Sequence, residues 1–182
     1  MVKTLSNQTL KANEKAPAFS LKGLDSKVMN LEDFNGKSLL VVFICNHCPY
    51  VMARIADLTD LRNQFSESDL SMVAINSNDP EYPGEGLENM IEFAKNYKLN
   101  FPYLLDDTQT VAKSYGAICT PDPFLFDTRR ELVFHGRIND AMDPEALPTT
   151  PIMENNIKSI IKGGVIEKTF DPSIGCSIKW KP

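Results

Sequence analysis

The 182 residues predict an α/β domain built on a mixed sheet, and three observations carry that reading. The run LLVVFI at residues 39–44 is apolar at every position, the pattern of a strand buried on both faces. The period then changes. Val51, Ile55, Leu58, Leu61 and Phe65 recur at helical spacing, with Arg54, Asp57, Asp60 and Arg62 between them. Residues 70–75 read as a second strand, which completes a βαβ unit, and the later segments supply a ββα unit.

The other elements follow in order. Residues 17–21 and 28–31 alternate in polarity on either side of Gly23-Leu-Asp-Ser and predict a small hairpin. Asn35-Gly-Lys37 is a turn into the first buried strand. Residues 78–86 form a loop rich in proline, glycine and acid, followed by an amphipathic helix carrying Leu87, Met90, Ile91, Ala94 and Tyr97. A short strand at 102–105 precedes a brief helix, capped by Asp107 or Thr108 and ended by Gly116. Residues 124–126 and 132–134 predict a hairpin about Thr128-Arg-Arg. Thr150 is expected to cap a last helix with Pro151 at its first position, Met153, Ile157, Ile160 and Ile161 inward, and Gly163-Gly164 at its end. Residues 165–182 predict an irregular tail whose Ile166, Phe170, Ile174, Ile178 and Trp180 pack back on the body.

Composition excludes several roles. Hydrophobic residues at 42% and charged residues at 24% argue against long-range disorder. The longest apolar run, residues 39–45, is too short to span a bilayer. The start MVKTLSNQTLKANEK has no apolar stretch of the secretory type, so a cytoplasmic protein is expected. A net charge of −5 disfavours a nucleic-acid backbone as partner. Four cysteines and two histidines remain as chemistry-bearing groups, and in a reducing compartment the cysteines are thiols that pack, bind metal or react.

Cys45-Asn-His47-Cys48-Pro49 lies where the buried strand passes into the helix. Sulfur at a helix N-terminus meets unsatisfied N–H groups and the positive end of the macrodipole, which favour thiolate. Two cysteines in one CxxC turn can close a disulfide, one attacking and the other resolving. The competing readings are two packed small hydrophobes and a metal site.

At these residues the chain resembles the thioredoxin superfamily, in its redoxin branch of peroxiredoxin-like (AhpC/TSA-type) and TlpA-like proteins. Ala16-Pro-Ala-Phe-Ser-Leu21 and Leu31-Glu-Asp-Phe-Asn-Gly-Lys37 are similar to the entry of redoxin domains. The loop Thr120-Pro121-Asp-Pro-Phe-Leu-Phe-Asp127 resembles the one that carries the family's cis-proline. CNHCPYV, TPDPFLFD and the terminal GCSIKW together resemble a redoxin subgroup described only in general terms. The resemblance implies a thioredoxin-like (glutaredoxin-type) three-layer fold: a central mixed sheet, an N-terminal hairpin and a C-terminal extension, as one domain over residues 1–182. It implies a thiol–disulfide oxidoreductase in which Cys45 is the exposed attacking cysteine and Cys48 the more buried resolving one. Pro121 would pack beside the disulfide, presenting backbone for substrate pairing, and Thr120 would contact the bound peptide. Partners would be protein or small-molecule disulfides and thiols, with a reductant such as thioredoxin or glutathione, and no cofactor, nucleic acid or membrane.

His47, before the second cysteine, resembles the CxHC turns of protein disulfide isomerase and DsbA. An imidazole there stabilises the attacking thiolate and raises the reduction potential. Two positions depart from family patterns: Ile44 stands where thioredoxin has tryptophan, and Val51 where TlpA-like proteins often carry an acid.

Cys48-Pro49 also resembles the peroxidatic Cys-Pro of peroxiredoxins, which makes a thiol peroxidase the first alternative. That chemistry uses a threonine three residues earlier, here Cys45, and a distant arginine whose place Pro121 roughly occupies. Copper binding or delivery is the second alternative, with Cys45, His47, Cys48, Cys119 and His135 as donor types. SCO proteins, which share the broader fold, space their cysteines more widely, so no metal site is assigned. Cys119, two residues before Pro121, and Cys176 in the tail are candidate auxiliary thiols, against a reading of both as packed small hydrophobes. The loop 79–85 reads as a solvated connection, with a lid over the site as the alternative.

Overall fold

The computed structural model describes residues 3–182, which form β1 (Lys3–Leu5), β2 (Ser20–Gly23), β3 (Val28–Asn30), a 3-10 turn (Leu31–Asp33) and β4 (Ser38–Phe43). After these come α1 (Pro49–Gln64), β5 (Leu70–Asn76), α2 (Leu87–Asn96), β6 (Tyr103–Leu105) and α3 (Thr110–Tyr115). The chain closes with β7 (Cys119–Thr120), β8 (Asp122–Phe126), β9 (Leu132–Gly136), α4 (Ile152–Ile161), β10 (Phe170–Asp171) and β11 (Ile174–Ser177).

The main sheet has eight strands in the order β10-β9-β8-β4-β5-β6-β2-β3. β4 lies inside it, parallel to β5 and antiparallel to β8, as its unbroken apolar run requires. Alternate residues of β4 serve different cores. Leu40 and Val42 join Val51, Ile55 and Leu58 of α1, Met90 and Phe93 of α2, and Met153 and Ile157 of α4. Leu39, Val41 and Phe43 face the other way, with Val111 and Tyr115 of α3 and with Phe19 and Phe34 of the N-terminal segment. The sheet is thus the middle of three layers, and the expected mixed α/β arrangement is present. Among the described residues no helix is long and apolar enough to cross a membrane.

Three local expectations need correction. The third helix begins at Thr110 rather than after Asp107 or Thr108, with Gln109 as its left-handed cap. Asp106 explains the delay, because its buried carboxylate accepts from Ser77 Oγ (2.8 Å) and the Ala112 amide (2.9 Å). The last helix is capped by Pro151 rather than Thr150. Asp140 accepts from the amides of Thr149 (2.8 Å) and Thr150 (3.0 Å), which holds Thr150 outside the helix.

The tail is not irregular: β10 runs parallel to β9, and β11 lies between β1 and β7 in a second sheet of three strands. In that sheet Cys176 stands opposite Lys3 on one side and Thr120 on the other.

Candidate active site

The site begins where β4 runs out. Ile44 is followed by Cys45, the turn Asn46-His47 crosses the sheet's end, and Cys48 becomes the N-cap of α1 with Pro49 at the first helical position. Proline suits that position, having no N–H to leave unpaired and a preset φ. The turn lies against Thr120, which precedes a cis peptide bond to Pro121, as the motif implied. Cys45 Sγ is 3.1 Å from Thr120 Oγ1. As a thiol, Cys48 donates to the Thr120 carbonyl at 3.2 Å, and its sulfur lies 2.7 Å from Cys176 Sγ.

Electrostatics place the charge of this pair on Cys48. The Cys45 thiol, hydrogen-bonded to Cys48, lowers the Cys48 pKa to about 5; the Cys176 thiol and the amides of Val51 and Cys176 act the same way, against burial. Cys45 is raised well above its ordinary value by the hydrogen bond to Cys48, then by burial and the negative charges of Cys48 and Glu85. This division has a structural cause. Cys48 faces the helix's first amides, whereas Cys45 belongs to the strand end and has a carboxylate nearby. Burial also pushes Cys176 up to about 12.

The expected exposure of the attacking cysteine is not present: Cys45 is 1% exposed and Cys48 0%. The loop 78–86 explains it. Residues 81–84 of this loop are exposed, as expected of a solvated connection, but the loop inserts Glu85 beside the turn, with its side chain fully buried. Glu85 accepts from the Asn46 amide (3.2 Å), Asn46 Nδ2 (3.1 Å), Asn76 Nδ2 (2.6 Å), Asn78 Nδ2 (3.2 Å) and His47 Nδ1. Tyr82 stacks on the His47 ring with centroids 5.1 Å apart, and Tyr103 Oη donates to Asn46 Oδ1 at 2.9 Å. The tail closes the arrangement: the Asp79 amide donates to the Lys179 carbonyl (2.7 Å) and the Lys179 amide to Asn78 Oδ1 (2.8 Å).

Sequence reasoning missed Glu85, Asn76, Asn78 and Tyr103. The available signal was Gly84-Glu85-Gly86. Both glycines adopt positive φ, 85° and 83°, which turns the backbone sharply enough to aim the glutamate inward. The positions expected for substrate contact are also differently occupied. Thr120 is 2% exposed, and the edge of β7 is paired with β11.

Of the remaining candidates, Cys119 is buried opposite Ser177 and raised in pKa by burial. His135 lies under Phe124, with its Nε2 2.8 Å from the buried Asp122. Among the described residues, the group with metal-binding spacing is Cys45, His47 and Glu85, whose donor atoms lie within 4.8 Å of one another. Cys119 and His135 do not join it. Its donor types suit a borderline cation, but both Glu85 oxygens already accept N–H groups, so a cation would have to displace the bonds that hold the turn.

A three-layer α/β fold with a CxxC turn at a strand-to-helix junction, beside a cis-proline loop, defines the thioredoxin-like class. The chain belongs to the AhpC/TSA family, which matches residues 12–135. It is 26% identical over 123 residues to the thiol-disulfide oxidoreductase ResA of Halalkalibacterium halodurans, covering 68% of this chain and 66% of that protein, just under two thirds of the relative's length. It is 30% identical over 108 residues to the peroxiredoxin Bcp of Escherichia coli, covering 59% and 65%. The crystal structure of an uncharacterized conserved protein from Geobacillus kaustophilus is similar over 100% of this chain and 98% of that one, at 39% identity and a TM-score of 0.94. The thioredoxin domain of a thiol-disulfide oxidoreductase from Bacteroides vulgatus shares the fold at 20% identity and a TM-score of 0.67, covering 84% and 99%.

Proposed function

We propose that this chain is a thiol–disulfide oxidoreductase working through Cys45 and Cys48. The observation that carries the reading is the placement of the pair, with Cys45 at the end of β4 and Cys48 at the N-cap of α1, both against Thr120 and its cis bond to Pro121. A disulfide reaches Cys45 once the turn and the loop over it open locally. Cys45 Sγ attacks one sulfur of that disulfide while its proton passes to the Cys48 thiolate, and the second substrate sulfur leaves as thiolate. Cys48 then gives its proton to the leaving thiolate and attacks Cys45 Sγ. The second product thiolate departs and the Cys45–Cys48 disulfide remains. Two electrons have moved from the pair to the substrate, and the reverse sequence oxidises a dithiol partner. Thr120 Oγ1 bonds Cys45, and Glu85 orients Asn46 and His47. The match to ResA supports the reading.

Substrates of this kind are disulfides and thiols of proteins or small molecules, with thioredoxin or glutathione as reductant. A cytoplasmic setting, in which the pair rests reduced, is part of the proposal and is checked by cell fractionation. Trapping tests the chemistry. Cys48→Ser incubated with oxidised glutathione is expected to accumulate a mixed disulfide on Cys45, and glutathione found only on other cysteines contradicts it.

The depressed Cys48 thiol and the family match favour peroxide reduction as the second reading. In that case Cys48 attacks the O–O bond, becomes a sulfenic acid and releases water or an alcohol. Hydrogen peroxide consumption that survives Cys45→Ser but not Cys48→Ser would favour it over disulfide exchange.

A further inference from the structure

The third cysteine of the site comes from the far end of the chain. Cys176 lies 128 positions from Cys48, yet the two sulfurs are 2.7 Å apart. β11 is built to put it there. It pairs with β7 on one side, Cys176 opposite Thr120, and with β1 on the other. Gly175 permits the approach, since a Cβ at that position would sit 1.9 Å from the Thr120 carbonyl oxygen. Ser173 and Ser6 add a mutual pair of hydrogen bonds, Ser6 amide to Ser173 carbonyl (2.9 Å) and Ser173 amide to Ser6 Oγ (3.0 Å). β11 also takes the edge of the strand that leads into Pro121, so a thiol of this chain occupies the ground beside the redox pair. Cys176 is buried with Cys45 and Cys48, which shields exchange among the three from solvent thiols.

We propose that Cys176 is a third redox cysteine, which takes the disulfide over from Cys45. The inference rests on the oxidoreductase reading of Cys45 and Cys48. In the oxidised protein the Cys176 sulfur attacks Cys48 Sγ, a Cys48–Cys176 bond forms, and the Cys45–Cys48 bond breaks. Cys45 departs as thiolate and takes up the proton that Cys176 releases. The exchange is internal, with one disulfide and one thiol before and after it, so no outside oxidant or reductant enters. The result is a Cys45 thiol restored in the CxxC turn while the oxidising equivalent is held between α1 and β11.

Disulfide mapping of the full chain tests this. Reduced protein is treated with a small excess of diamide, quenched in acid, alkylated, and digested without reduction for mass spectrometry. Wild type is expected to yield both Cys45–Cys48 and Cys48–Cys176 peptides. Cys45→Ser is expected to close Cys48–Cys176 within one chain, and Cys176→Ser to yield Cys45–Cys48 alone. Cys119→Ser serves as the control and should reproduce the wild-type pattern. Wild type yielding Cys45–Cys48 with no Cys48–Cys176, together with Cys45→Ser that keeps all its remaining thiols, overturns the relay and leaves the exchange reading standing. Absence of Cys45–Cys48 from both wild type and Cys176→Ser overturns that reading itself.

Discussion

Glu85 Oε1 accepts the backbone N–H of Asn46 at 3.2 Å, so a residue 39 positions downstream holds the turn between the two cysteines. The same carboxylate gathers side-chain N–H groups from Asn76, Asn78 and His47, all at the ends of β5 and β4. Removing it leaves several buried donors without an acceptor. Glu85→Ala is therefore expected to destabilise the reduced protein by about 2–4 kcal/mol. Urea unfolding checks the size, and faster exchange of the Asn46 amide checks the place. A change within about 0.5 kcal/mol, the usual surface effect, contradicts the account.

The pH dependence follows from Cys48. Its folded pKa is lowered to about 5, while an unperturbed thiol titrates near about 8.5. Between those values the unfolded chain binds a proton that the folded chain does not, so stability rises with pH. The contribution is complete above the unfolded value and is lost as pH falls through about 5. Reduced wild type should therefore lose its margin over Cys48→Ser across that window, measured by denaturant unfolding at several pH values. A margin independent of pH contradicts the placement of the charge.

A stabilised thiolate stabilises the reduced pair and makes the couple more oxidising. The midpoint is expected above the roughly −270 mV of thioredoxin. Equilibration against glutathione buffers reads it, and a midpoint at or below that value counts against the account. The imidazole of His47 is turned to Glu85 beside the pair.

Gly175→Ala probes the seating of β11. A Cβ would come within 1.9 Å of the Thr120 carbonyl oxygen, a backbone clash expected to cost about 1–3 kcal/mol. The strand should lift from Thr120, and the Cys48 and Cys176 thiols should react faster with a soluble disulfide reagent. Unchanged stability and unchanged thiol reactivity contradict the close approach.

Much of this was legible in the residues. The β4–α1 junction was readable because its signals are local: an unbroken apolar run, a change of period, and a proline one residue after Cys48. The mixed sheet followed from the order of such segments. What stayed hidden depends on partners far along the chain. β7, β10 and β11 span two to four residues each and are too short to show a period, and only their pairing with distant segments makes them strands. The burial of Glu85 has the same origin. An acid between two glycines reads as solvated until Asn46, Asn76 and Asn78 are brought around it. The cover over Cys45 was unreadable for that reason, since the loop 78–86 is fastened by tail residues.

The most direct test of the central claim is the identity of the disulfide that forms when Cys176→Ser protein is oxidised with diamide. The account predicts loss of two hydrogens per chain, a single intrachain bond mapped to Cys45 and Cys48, and Cys119 still open to alkylation. A chain that keeps all its thiols, or that pairs Cys119 instead, contradicts it.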